Sequence, residues 1–312
     1  MSRELNQYSL EILTPIHIGN DDTLQSVSYY HFKGEEYVKV YDIKDICNKI
    51  KNIEPVFNIK SRHVSLNNFL NEEEINNIIP SRELLIRSNE HVKGQELNLF
   101  VSENNELYIP GSSLKGSILH AVEYANKESK YLHENFGISD LYFEQIVSQL
   151  ERGERITASK KKGKSKQKQD NYKEWVVLGK TKQIHSFNRK KIDIDFLKSI
   201  YCFTKDYLEY QKTYYDYIFE KNDFENQDLA DKASNVSLLI DQYLEINTKE
   251  EPLLILGSNT HRFSKTNELR FKKSYQLTKG KNSAHPLSRL LVLDKEGYLT
   301  MPGLVRFLKN EN

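Results

Sequence analysis

Within nine residues, Ile109-Pro110-Gly111-Ser112-Ser113-Leu114-Lys115-Gly116-Ser117, the chain has to stop being a strand and begin a helix. Leu107-Tyr108-Ile109 reads as a strand end, Pro110-Gly111 breaks it, and Leu114, Ile118, Leu119 and Val122 then recur at helical spacing. Ser112 or Ser113 suits the N-cap. The outward N–H groups of a first helical turn carry partial positive charge, Lys115 adds a full one, and Gly111 and Gly116 admit a close backbone. The stretch therefore suits a phosphate. Gly111 and Gly116 have the spacing of a Walker A loop, but that motif needs Lys directly after the second glycine, where this chain has Ser117. An NTPase is excluded on that ground. A capped helix with two turn glycines and a solvated lysine is the plainer reading of the same residues.

A length of 312 residues predicts two domains, which we place at 1–190 and 191–312. Hydrophobic content of 38% against 29% charged residues suits a soluble protein, and nothing in the sequence resembles a membrane span or a secretory signal. Cys47 and Cys202 are far apart with no C-x-x-C, so neither a disulfide framework nor a zinc ribbon is expected, and a reducing cytoplasm is the simplest home. The net charge of +1 hides an uneven distribution: residues 151–191 hold fourteen Lys and Arg against four acids, and residues 261–281 hold seven against Glu268 alone. Between them, residues 206–250 carry eleven acids. One surface for a polyanion and another for a protein neighbour or solvent follow from that pattern.

Alternation predicts strands at 8–13, with Tyr8, Leu10 and Ile12 on one face, and at 27–32 and 36–41, then a helix at 43–50. Residues 51–90 are weakly patterned and read as an insertion holding a helix at 72–79. Strands at 96–101 and 106–109 precede the Gly-Ser-Ser helix, and a further helix is expected at 140–150 from Phe143, Ile146, Val147 and Leu150. Residues 158–170 include six lysines and read as a basic, flexible segment. Its flank is expected to form a hairpin turning at Gly179-Lys180-Thr181. Long helices at 194–220 and 223–246 follow, the first with Tyr207, Tyr210, Tyr214, Tyr217 and Ile218 on a core-facing side. Strands at 253–256, 289–293 and 298–300 close the pattern, the last two joined by a turn at 294–297. The class expected is α+β.

A second segment, Leu13-Thr14-Pro15-Ile16-His17-Ile18-Gly19, directly follows the first strand. An opening strand running into T-P-I-H-I-G, with I-P-G-S-S-L-K-G later, resembles the RAMP superfamily of CRISPR-associated RNA-binding proteins. Within it the chain is most similar to the Csm subunits of type III-A effector complexes. The interval of about ninety residues between Gly19 and Pro110 is similar to that of the fifth, head-forming Csm subunit. The resemblance implies two ferredoxin-like (RRM-like) domains with helical insertions, and a non-catalytic subunit that caps the crRNA 3′ portion and supports assembly and crRNA maturation. It implies crRNA contacts at His17, Gly19, Gly111, Ser112, Ser113, Lys115 and Gly116. Implied partners are crRNA, the backbone RAMP and small helical Csm subunits, and host nucleases, with no membrane. Two departures are visible: Leu119 stands where backbone subunits commonly carry Arg, and the late loop 256–263, expected to be Gly-rich, has only Gly257.

The basic residues Lys160, Lys161 and Lys162 and the late-loop residues Ser258, Asn259, His261 and Arg262 complete the candidate RNA contacts. Catalysis is the rival class. None of the nine histidines has a metal-ligand spacing, and residues 27–32, which match the family's cleavage loop, lack a carboxylate. No metal and no cofactor are therefore expected. A processing ribonuclease using His17 or His31 is one alternative, and a protein-binding scaffold built on the acidic 206–250 stretch is the other.

Overall fold

The computed structural model describes residues 2–19, 23–50, 65–87, 92, 96–126, 134–157, 171–188, 194–222, 226–257 and 288–310. A short 3-10 turn, Ser2–Gln7, leads into β1 (Tyr8–Ile12), β2 (Thr23–Leu24), β3 (Tyr29–His31) and β4 (Tyr37–Val40). Then come α1 (Ile43–Lys49), α2 (Glu72–Asn76), β5 (Arg82–Leu85), β6 (Leu97–Asn98), β7 (Ser102–Glu103), β8 (Glu106–Ile109) and α3 (Gly111–Asn126). They are followed by β9 (Phe136–Ile138), β10 (Leu141–Glu151), β11 (Glu154–Thr157), β12 (Tyr172–Thr181) and β13 (Ser186–Asn188). The last group is α4 (Phe196–Asn222), α5 (Gln227–Ile246), β14 (Leu253–Ile255), β15 (Ser288–Leu293), β16 (Leu299–Thr300) and β17 (Leu304–Lys309). Helices packed on largely antiparallel sheet make this the α+β class expected.

The central sheet runs β14-β17-β1-β12-β10-β8-β7, and β6 joins β12 in parallel. Alternation explains which face is covered: Leu10 and Ile12 of β1 and Val305 and Phe307 of β17 lie in one core with Leu114, Ile118 and Val122 of α3. The tyrosine face of α4 closes that core, with Tyr207, Tyr210 and Tyr214 at most 1% exposed. Fully burying side chains of this size stabilises by roughly 1.5–3 kcal/mol each, so these layers hold the sheet to the helices. The expected domain boundary near residue 190 falls between β13 and α4, while β1 and β17, from either side of it, are hydrogen-bonded neighbours from Tyr8↔Lys309 to Ile12↔Val305. A smaller sheet, β3-β4-β5, shares a second apolar cluster with Leu97, Leu150 and Tyr172 of the central sheet, and α1 and α2 contribute Ile46 and Ile75 to a third.

Two sequence expectations fail in the sheet. Residues 140–150 are not a helix: they form β10, the long partner of β12. The helix-like spacing of its apolar residues does not mark one buried face, since Leu150 is buried and Phe143 half-buried while Ile146 and Val147 are exposed, and register shifts between Phe143 and Gln145 and between Val147 and Ser148 interrupt the two-residue alternation. Nor does the chain turn at 179–181, because β12 runs straight through Gly179. A side chain at Gly179 would lie 3.1 Å from both the Gln145 carbonyl oxygen and the Phe143 ring, so this glycine marks a close strand approach. The turn at 294–297 forms as expected, with Asp294 Oδ1 accepting from the N–H groups of Glu296 and Tyr298, each at 2.9 Å.

Candidate RNA interface

Helix α3 begins at Gly111, one residue before Ser112 and two before Ser113, the serine caps expected from the sequence. Asp140 supplies the cap: its Oδ1 accepts the Gly111 N–H at 2.7 Å. The Pro110 carbonyl accepts from Ser113 N–H at 2.9 Å and from Leu114 N–H at 3.2 Å. A side chain at Gly111 would collide with the backbone of Ile138 and Ser139, which explains a glycine where strand becomes helix. Gly111, Leu114 and Ile118 face inward, whereas Ser112 and Gly116 are exposed and Ser113 and Lys115 are half-buried. Ser112, Lys115 and Gly116 stand at i, i+3 and i+4, so a hydroxyl, a cation and an open backbone share one outward face. Above Gly116 nothing lies within 4 Å of the position a Cβ would take.

His17 is differently placed. It is 4% exposed, its Nδ1 lies 2.7 Å from the Glu174 carbonyl oxygen, and its ring packs against Trp175 and edge-on to Phe100. Burial pushes its pKa down to about 4, so the ring is neutral and donates from Nδ1. Its contribution is to hold the turn. Gly19 follows in close contact, since a Cβ there would be 3.1 Å from His17 Nε2. Gly257, the second residue of the late loop, adopts φ +97° and would place a Cβ 2.8 Å from the His17 carbonyl oxygen. The turn and the root of the late loop are thus in backbone contact.

Hydrogen bonds tie this turn to the strand that feeds α3. Val101 N–H donates to the Ile18 carbonyl at 2.8 Å, and Tyr108 N–H donates to the Val101 carbonyl at 3.4 Å. Segments 13–19, 99–103 and 106–109 therefore run side by side. Under them lies Glu174, fully buried, whose carboxylate accepts from Arg82, from Ser148 Oγ at 2.9 Å and from Phe100 N–H at 3.1 Å. Desolvation raises its pKa, and Arg82, Ser148 and Phe100 pull the other way. Glu174, Arg82 and Asp140 were not legible as site residues, because a lone charge in or beside a strand gives no sequence signal; only their place in the fold reveals them.

His31 is 5% exposed, with Nε2 2.8 Å from the Glu35 carbonyl and Nδ1 accepting Val92 N–H at 3.0 Å, so both ring nitrogens are engaged. Lys160, Lys161, Lys162, Ser258, Asn259, His261 and Arg262 lie outside the described residues. Among the described residues no group of three or more His, Cys, Asp or Glu side chains could hold a metal ion, and no helix is long and apolar enough to cross a membrane.

The model of the RAMP superfamily matches residues 9–251, a span that includes both the buried turn and the outward face of α3. The chain belongs to the RAMP superfamily. Its fold is similar to that of a chain in the cryo-EM structure of a Csm–crRNA–target RNA ternary complex of a type III-A CRISPR-Cas system. That match has 16% identity and a TM-score of 0.65, over 96% of this chain and 99% of the other. It is also similar to the crystal structure of T. onnurineus Csm5, with 16% identity and a TM-score of 0.58, over 95% and 99% of the two chains. No curated protein sequence matches this RAMP protein.

Proposed function

We propose that this RAMP protein is a non-catalytic crRNA-binding subunit of a type III-A Csm effector complex, in the position that Csm5 holds. There it caps the 3′ portion of the crRNA and supports assembly and crRNA maturation, next to the backbone RAMP and small helical subunits and in contact with host nucleases, in the cytoplasm. The observation that carries the reading is the outward face of α3: Ser112, Lys115 and Gly116 together offer the hydroxyl, cation and open backbone that phosphate contacts use. End-to-end likeness of fold to Csm5 and to a chain of a crRNA-bound complex supports it. Against a His-dependent ribonuclease stand the burial of His17 and the engagement of both His31 nitrogens, which leave neither ring facing a substrate.

Co-expression with the neighbouring subunits, followed by sequencing of the RNA that co-purifies, tests the assignment: crRNA of defined 3′ length is expected. With the purified chain, Lys115→Ala should weaken binding to single-stranded RNA and lower the salt slope by about one contact. Wild-type binding by that variant at two salt concentrations would reduce the α3 start to an ordinary capped helix.

A further inference from the structure

We propose that Phe187 is a stacking platform for an RNA base, set beside the phosphate-contacting start of α3. The proposal rests on the RNA-binding reading above. Phe187 is 56% exposed, and it stands in β13 directly opposite Gly137 of β9. Its ring lies on that glycine: a Cβ added to Gly137 would collide with the ring carbons. Backbone below and solvent above make a ring that is both fixed and accessible, which is what base stacking requires at low entropic cost. Scattered exposed rings are ordinary on protein surfaces. Two further features set this one apart.

The first is place. The residue after Gly137 is Ile138, whose backbone, with that of Ser139, is in contact with Gly111. The ring and the first turn of α3 therefore flank one three-residue strand, on the order of 10 Å apart from strand spacing and rise, the reach of neighbouring nucleotides. The second is charge. From Trp175 to Ile192 the sequence holds five Lys and Arg and no acid, and Lys180, Lys182 and His185 are exposed along the approach to the ring. A polyanion fits that strip.

Binding of a fluorescein-labelled, unstructured single-stranded RNA to the full chain, measured at two salt concentrations, tests this. Phe187→Ala is expected to weaken binding about 5- to 100-fold with the salt slope unchanged, because the ring carries no charge. Phe187→Trp should bind as wild type, and the new indole emission should be quenched by RNA. Phe187→Leu keeps an apolar cover on Gly137 but no π-face, and should bind nearly as poorly as Phe187→Ala. Wild-type affinity in Phe187→Leu, with a normal melting temperature, would mean that the ring only covers the glycine, and the proposal would fail. If Phe187→Ala binds normally while Lys115→Ala is weakened, the stacking proposal falls and the RNA-binding reading stands. If neither variant changes binding, both fall.

Discussion

The ring of His17 and the carbonyl oxygen of Glu174 are 2.7 Å apart, and the carboxylate of that same Glu174 is held by Arg82, Ser148 and Phe100. One residue of β12 thus fixes the turn at 13–19 through its main chain and draws β5, β10 and the crossing segment before β7 together through its side chain. The T-P-I-H-I-G motif is built from inside: its histidine shapes a turn and does not face solvent.

Replacing His17 with Ala should therefore cost stability. A buried ring is lost and the Glu174 carbonyl is left without its donor, so a fall of about 2–4 kcal/mol in unfolding free energy is expected from urea denaturation. An unchanged midpoint would place the ring outside the core.

Arg82 carries the compensating charge for a fully buried carboxylate. Arg82→Met should destabilise by about 3–5 kcal/mol, because the partner charge is left uncompensated in a low-dielectric interior. The double variant with Glu174→Gln should be markedly less destabilised than the sum of the two single changes. Simple additivity in a double-mutant cycle would show that the two side chains act independently.

The two glycines of the α3 motif should respond in opposite directions. Gly111→Ala forces a side chain into the backbone of Ile138 and Ser139 and should unseat the helix start. Gly116→Ala meets open space in a helix interior and should raise stability by about 0.5–1 kcal/mol. If a backbone or phosphate approaches that face, the same substitution weakens RNA binding while the melting temperature rises. A stabilised variant with unchanged affinity would remove Gly116 from the interface.

Periodicity carried the reading of the sequence where one face of an element meets one core. The Tyr207, Tyr210, Tyr214 face of α4 and the Tyr8, Leu10, Ile12 face of β1 are buried as expected. It misled at β10, where Phe143, Ile146, Val147 and Leu150 recur at helical intervals although Ile146 and Val147 are exposed on a bulged strand, and at Gly179, which reads as a turn but serves a close strand contact. The start of α3 was legible because strand break, glycine and cation are adjacent in sequence. What lies beneath it was not: Asp140 caps a residue 29 positions away, and Glu174 meets Arg82 across 92, distances at which a single sequence gives no pairing signal.

The pH dependence of stability should be flatter than either of two buried groups would make it alone. His17, with its pKa pushed down to about 4 by burial, resists protonation in the fold, so the unfolded chain binds more protons between pH 6.5 and 4 and stability falls as pH drops through that window. Glu151 is the reverse. Desolvation raises its pKa to about 7, and although Leu293 N–H, Arg87 and Gln149 favour the charged form, the folded chain binds more protons between pH 4.5 and 7, so stability falls as pH rises. Each effect amounts to about 3 kcal/mol at its limit, and the windows overlap. Glu151→Gln should therefore leave stability near pH 4 little changed, raise it at pH 8, and unmask a loss on acidification between pH 6.5 and 4. Urea denaturation of wild type and variant at pH 4.5, 6 and 8 checks this. Parallel pH profiles for the two proteins would show that Glu151 titrates as an ordinary surface carboxylate.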